Sequence, residues 1–216
     1  MTTVVLVRHG RTAWHQPNRY TGRSDLPLDE QGQRQAAALP GWARDHGFTT
    51  VACSPLLRAR QTAAPTAHAL GLAPLVDARL AELDFGDAEG CTLAEVRAAD
   101  PDVADRFEAD PVAGHFPGGE APAQAAARFA AALGDLVDAG TGDAATPADA
   151  PILVIAHSTI IRLHLCAVLG LPLRDYRRRL PRLDPVAATA LRYPSRPEEP
   201  VALLAFNVPV RSGSTP

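Results

Sequence analysis

Two apolar runs constrain this chain more than any other feature: VVLV at Val4–Val7 and ILVIA at Ile152–Ala156. Both are short, rich in β-branched residues and uninterrupted by polar ones. A strand wet on one face alternates polar and apolar residues. A continuous run is buried on both faces, as in parallel sheets covered by helices. Thr2–Val7 is therefore predicted as a first strand and Pro151–His157 as a fourth, with Thr49–Cys53 and Ala73–Ala78 between them. DEQGQRQAAALPGWARDHG is predicted helical, with Asp29 as N-cap and Pro40-Gly41 kinking or splitting it. SPLLRARQTAAPTAHALG opens a second helix with Ser54 as N-cap and Pro55 at its first position. STIIRLHLCAVLG follows the fourth strand, and VAATALRY and VALLAFN are two late strands. This alternation predicts an α/β fold, a three-layer α/β/α sandwich with a mainly parallel central sheet. The prolines and glycines of residues 84–136 suggest a loop-rich helical lobe over one sheet edge. DAGTGDAATPADAP (Asp138–Pro151) and the tail 208–216 are expected to be mobile, within a single domain spanning 1–216.

Composition narrows the function classes. A net charge of −3 gives no reason to expect nucleic acid or an anionic membrane as partner. No apolar run approaches the roughly 18 residues of a membrane span, and no charged segment precedes an apolar one at the start. Three widely spaced cysteines (Cys53, Cys91, Cys166) fit a reduced chain, so a cytoplasmic location is expected. All 21 basic residues are arginine. Schiff-base lysine chemistry and a P-loop are thereby excluded.

The first strand ends in Arg8-His9-Gly10 and the fourth in His157-Ser158. Ligands of open parallel sheets bind beyond the carboxyl ends of the strands. If these two strands are neighbours, His9 and His157 lie side by side there. The second strand would deliver a helix N-terminus at Ser54-Pro55, with Arg58 in its first turn, to the same crevice. Two arginines beside a histidine favour its neutral form, and a neutral imidazole can attack phosphorus. The same guanidiniums can carry charge on the phosphoryl oxygens. A proton donor is also needed. Glu82 of LAELDFGDAEG stands at the right sheet edge, with Asp84, Asp87 and Glu89 as competitors on spacing alone. No His/Cys/Asp cluster has metal-ligand spacing. His157 and His164 are seven apart, but His164 fits a core position better than a ligand.

Five blocks, LVRHGRT, CSPLLRARQTA, LAELDFGDAEG, FPGGE and VIAHSTIIR, occur in that order between residue 4 and about residue 162. Together they resemble the histidine phosphatase superfamily, with its phosphoglycerate mutase-like fold. The resemblance implies that His9 is phosphorylated, that Arg8, Arg58 and His157 form the phosphate pocket, and that Glu82 donates the proton. It implies substrate contacts from Thr21 and Gly22 in NRYTGRSDLPLDEQG, from Glu120 in FPGGE, and from a backbone N–H of Ser158. It also implies a small phosphorylated metabolite as substrate, no cofactor, and a homodimer.

The sequence departs from the family's usual pattern at three places. Arg11 stands where Glu or Gln is usual. His15 stands where an Asn usually touches the phosphate. Ser158-Thr159 follows the second histidine where glycine is usual. Only 26 residues separate Gly90 from Pro117. That is short for a mutase lobe and favours hydrolysis over a cofactor-dependent phosphoglycerate mutase or a non-catalytic phosphate-binding module. YRRRL (Tyr176–Leu180) fits a solvated loop, with a polyanion-binding role as its alternative. Trp14 and Tyr20 either stack on a substrate or anchor their loop.

Overall fold

β1 (Thr2–Arg8) forms where the first apolar run predicts it. In the computed structural model, which describes residues 1–142, 150–196 and 198–210, β1 pairs in parallel with β4 (Ile152–Ala156), Val4 opposite Ile152 and Arg8 opposite Ala156. The remaining strands are β2 (Thr50–Cys53), β3 (Leu75–Val76), β5 (Ala187–Tyr193) and β6 (Ala202–Pro209). Their order is β3-β2-β4-β1-β5-β6. The first four run parallel, and β5 and β6 add an antiparallel edge.

The unbroken apolar runs reflect burial on both faces. Val4 and Leu6 pack with Phe129 and Leu133 of α5 (Pro122–Gly142) and Ile160 of α6 (Ser158–Val168). Val5 and Val7 point the other way, onto Leu39 and Trp42 of α1 (Glu30–Arg44) and Ala63 of α2 (Leu57–Leu70). Successive strand residues thus feed opposite helical layers, giving the three-layer arrangement. No helix among the described residues is long and apolar enough to cross a membrane.

Several local expectations need correction. α1 is capped by Asp29, whose Oδ1 accepts from Gly32 N at 2.8 Å, but it runs through Pro40 as one element. An interior proline costs a helix about 3 kcal/mol. Burial of Leu39, Trp42 and Ala43 on either side of it outweighs that cost. α2 begins at Leu57, not at Pro55. Asp25 Oδ1 accepts from Leu57 N at 2.5 Å, while Ser54 Oγ takes Leu56 N at 3.3 Å outside the helix. The third strand shrinks to two residues at an exposed edge, because Asp77 accepts from Arg79 N and turns the chain into a 3-10 segment.

Residues 84–136 carry more helix than their prolines and glycines suggest. α3 (Leu93–Ala99) starts at a Thr92–Glu95 capping box, and α4 (Pro101–Ala109) at Asp100 with Pro101 next. Phe107 of α4 stacks on Phe116 at 4.1 Å between ring centroids, and Tyr20 packs edge-on to both. This aromatic cluster ties the lobe to the crevice rim. Of the two segments expected to be mobile, Asp138–Gly142 belongs to α5 and Val208–Pro209 to β6. Residues 143–149 and 211–216 lie outside the described residues.

Four histidines are held neutral by the fold. Burial, first of all, pushes His9 and His157 well below 6.5, and lowers His15 and His164 to about 4. His164 sits in the core with Nε2 2.7 Å from Tyr193 Oη. Below pH 6.5 the unfolded chain binds protons that the folded one refuses. Stability should therefore be full above pH 6.5 and fall as pH drops through the window toward about 4. Urea midpoints taken from pH 8 to about 4.5 should be flat at the alkaline end and decline below 6.5. A midpoint that holds constant to about pH 4.5 would contradict this.

Candidate active site

β1 and β4 end side by side, and they bring His9 and His157 together. His9 N donates to Ala156 O at 2.9 Å, so the ladder continues to the histidine itself. The two rings stand 5.0 Å apart between centroids. His9 Nδ1 lies 2.7 Å from the carbonyl of Gly10. A carbonyl only accepts, so the proton sits on Nδ1 and the lone pair on Nε2. Gly10 is required here, because a Cβ would meet the backbone of Gly32 at 2.7 Å. After burial, the charges of Arg58 and Arg8 are the next causes holding His9 neutral.

Arg8 donates from Nη1 to Leu183 O at 2.6 Å and from Nη2 to His15 Nε2 at 2.7 Å. Arginine has no lone pair to offer, so Nε2 of His15 is the acceptor there, while Nδ1 takes the backbone N–H of Thr12 at 3.0 Å and ties the ring to its own turn. His15 thus orients a guanidinium. Arg58 is fully buried and holds the following loop by its carbonyls: Nη1 to Ser24 O at 2.8 Å, Nη2 to Gly22 O at 2.8 Å and to Thr21 O at 3.1 Å. Arg8 Nε, Arg58 Nε and both ring nitrogens of His157 are buried without a hydrogen-bond partner among the described residues. Buried polar groups are normally paired. A cluster of unpaired ones around an imidazole is what an incoming anionic oxygen would complete.

Glu82 is buried, and its carboxylate closes the start of α6. Oε2 accepts from Thr159 N at 2.9 Å, and Oε1 from Ile160 N at 2.8 Å and Leu83 N at 2.9 Å. Arg128 fixes the backbone beneath it, donating to the carbonyls of Arg79, Ala81 and Glu82. Arg128 also pairs with Glu120 through two bonds of 2.6 and 2.8 Å. Burial alone would raise the Glu120 pKa, but Arg128 outweighs it and holds the carboxyl below its ordinary value. The competing carboxylates do other work. Glu89 binds Arg23 N and Ser24 N, and Asp84 binds Gly86 N.

The crevice is open to solvent and has a volume of about 120 Å³. Arg8, His9, His15, Thr21, Glu82 and Ser158 line it as expected. Arg58 and His157 stand fully buried behind them. Glu120 does not reach the crevice and acts through Arg128 instead. Gly22 is also off the wall: a Cβ there would meet Leu83 O at 2.5 Å, so glycine serves a close backbone approach. The α2 N-terminus is capped by Asp25 and is not offered to the crevice. Trp14 and Tyr20 both line it, and Tyr20 is also anchored in the lobe's aromatic cluster. Arg162 was missed, and YRRRL is not the solvated loop expected of it: Tyr176–Arg179 is a short helix with Tyr176 buried, and Arg162, Tyr176 and Arg177 all line the wall. Arg162 was findable: it lies one turn after Ser158, on the helix face that looks back toward the strand ends. Among the described residues no group of three or more His, Cys, Asp or Glu could hold a metal ion.

Comparison with known proteins agrees with this geometry. The model of the histidine phosphatase superfamily (branch 1) matches residues 4–203. A bifunctional protein of Mycobacterium tuberculosis is 37% identical over 165 residues, covering 76% of this chain and 43% of that protein. The chain thus spans under half the length of that relative. The protein named probable phosphoglycerate mutase GpmB of Klebsiella pneumoniae is 33% identical over 178 residues, 82% of this chain and 80% of its own. Among solved structures, mycobacterial glucosyl-3-phosphoglycerate phosphatase with inorganic phosphate superposes with a TM-score of 0.82 at 27% identity, covering 97% of this chain and 99% of that one.

Proposed function

The chain belongs to the histidine phosphatase superfamily (branch 1), and from that premise we propose that it is a metal-independent phosphomonoesterase acting on a small phosphorylated metabolite. The observation that carries the reading is the His9 tautomer. Its Nδ1–H is fixed on Gly10 O, which leaves the Nε2 lone pair in a crevice flanked by arginines.

In the first step Nε2 attacks phosphorus and the bond to the leaving oxygen breaks. Glu82, acting as the general acid, gives that oxygen its proton. Arg8, Arg58 and His157 hold the non-bridging oxygens, matching the unpaired donors around His9. In the second step the Glu82 carboxylate takes a proton from water, whose oxygen attacks phosphorus. The P–N bond breaks and inorganic phosphate leaves. His15 positions Arg8, and Glu120 and Arg128 position the Glu82 backbone. The three cysteines are free thiols, which supports a reducing compartment such as the cytoplasm.

A second reading, phosphoglycerate mutase, is favoured by the 33% identity to GpmB. The short 91–116 segment and the phosphatases among the structural neighbours support hydrolysis. The two separate in one assay with EDTA present. Hydrolysis predicts phosphate release from an aryl phosphate and no interconversion of phosphoglycerates when a bisphosphate primer is added. Interconversion faster than phosphate release would replace the phosphatase reading with the mutase. Phosphate binding without either reaction would leave a binding module.

A further inference from the structure

We propose that this site selects phosphomonoesters whose leaving group carries a second anionic group, a carboxylate or a further phosphate, held by Arg162 and Arg177; this rests on the phosphatase reading above. The crevice wall carries four arginines, Arg8, Arg19, Arg162 and Arg177, against one carboxylate, Glu82. Arg19 is already neutralised by Glu95, with bonds of 2.6 and 3.1 Å. Arg8 works with Arg58 at His9. The charges acting most strongly on His9 are those two. That leaves Arg162 and Arg177, neither of which has a described carboxylate at ion-pair distance.

Both are held in place without being neutralised. Arg162 donates from Nε to Ser158 O at 3.1 Å and from Nη1 to Leu180 O at 3.3 Å, with its guanidinium 5.3 Å over the buried Tyr176 ring. Arg177 lies 5.0 Å over the Phe107 ring, with a long 3.4 Å bond to Tyr20 Oη. Carbonyls and ring faces orient a cation but leave its charge unmet, and a half-buried unmet charge is costly. Burial, first of all, lowers the Arg162 pKa.

Their position fits a group distinct from the transferred phosphoryl. Arg162 is fixed on Ser158 O and Leu180 O beside Tyr176, and Arg177 lies over Phe107, whereas Arg8 is fixed on Leu183 O and His15 next to His9. The rings of Tyr20, Phe85 and Tyr176 line the same crevice, an apolar wall suited to a carbon skeleton joining the two anions. The transferred phosphoryl, a dianion, meets Arg8 and Arg58. A second anion meets Arg162 and Arg177. A neutral leaving group would leave the latter pair half-buried and unpaired.

The test compares three phosphomonoesters: glycerol 3-phosphate with a neutral leaving group, 3-phosphoglycerate with a carboxylate, and fructose 1,6-bisphosphate with a second phosphate. At least one anion-bearing ester should exceed glycerol 3-phosphate about tenfold or more in kcat/KM, as a charged hydrogen bond allows. Which one does so identifies the group. Arg177→Gln and Arg162→Gln should lower that ratio about tenfold. Calorimetric binding to His9→Ala protein should show the same preference without turnover. The preference therefore remains measurable if the phosphatase reading fails or an arginine variant does not fold. Equal binding and turnover of neutral and anionic esters would overturn the proposal. So would an equal loss on all three esters in both variants.

Discussion

Replacing His9 by alanine is expected to lower kcat/KM for an aryl phosphate by about 10⁴-fold or more, the scale seen when a covalent nucleophile is removed. The backbone of residue 9 stays in the sheet through its bond to Ala156 O, so the variant should fold. What disappears is the Nε2 lone pair, and with it the division of a very high barrier into two steps. Residual turnover would come from Arg8 and Arg58, which still stabilise charge on the phosphoryl group. The free enzyme's rate should show no loss between pH 7 and about 6 from protonation of His9, because burial and then Arg58 and Arg8 hold its pKa well below 6.5. Steady-state rates with a thermal unfolding control check both points. A loss under about tenfold in a folded variant would remove His9 from the nucleophile's role.

Glu82→Gln is expected to lower kcat/KM by about 10²- to 10⁴-fold on an alkyl phosphate, the usual range for a lost general acid. On nitrophenyl phosphate the loss in the first step should be much smaller, because that leaving oxygen departs without a proton. The contrast between leaving groups separates proton donation from a structural effect. A structural effect is also expected. Glutamine keeps one acceptor oxygen but turns an NH₂ toward one of the three N–H groups that Glu82 now accepts, those of Leu83, Thr159 and Ile160. A donor facing a buried donor should cost about 1–3 kcal/mol of stability. Equal losses on both esters, together with that destabilisation, would reduce Glu82 to a cap for α6.

The histidine pair was legible because each histidine ends a run whose length and apolarity fix it in a buried parallel sheet. Strand register then carries His9 and His157 to the same edge without knowledge of any loop. Glu82 was legible for a similar reason, following a strand at that edge, even though the strand itself proved only two residues long. Loop partners were not legible. The sequence shows Arg58 near a helix start, but not that its guanidinium would bind three carbonyls of residues 21–24 while Asp25 capped the helix instead. Glu120 was placed at the crevice mouth, whereas Arg128, one and a half turns into α5, captures it. The lobe's helices were hidden by proline and glycine density, although Thr92-x-x-Glu95 and Asp100-Pro101 are N-terminal signals. His15 departs from the family's usual asparagine, and the structure gives it a task that needs a neutral ring: accepting from Arg8.

The most direct measurement is to mix enzyme with an aryl phosphate, quench in alkaline denaturant, where phosphohistidine survives, and locate any added phosphoryl group by mass spectrometry of peptides. One phosphoryl group is expected on His9 in the wild type and none in His9→Ala. Turnover with no phosphoryl group on His9, or a phosphoryl group found on another residue and retained in His9→Ala, would contradict it.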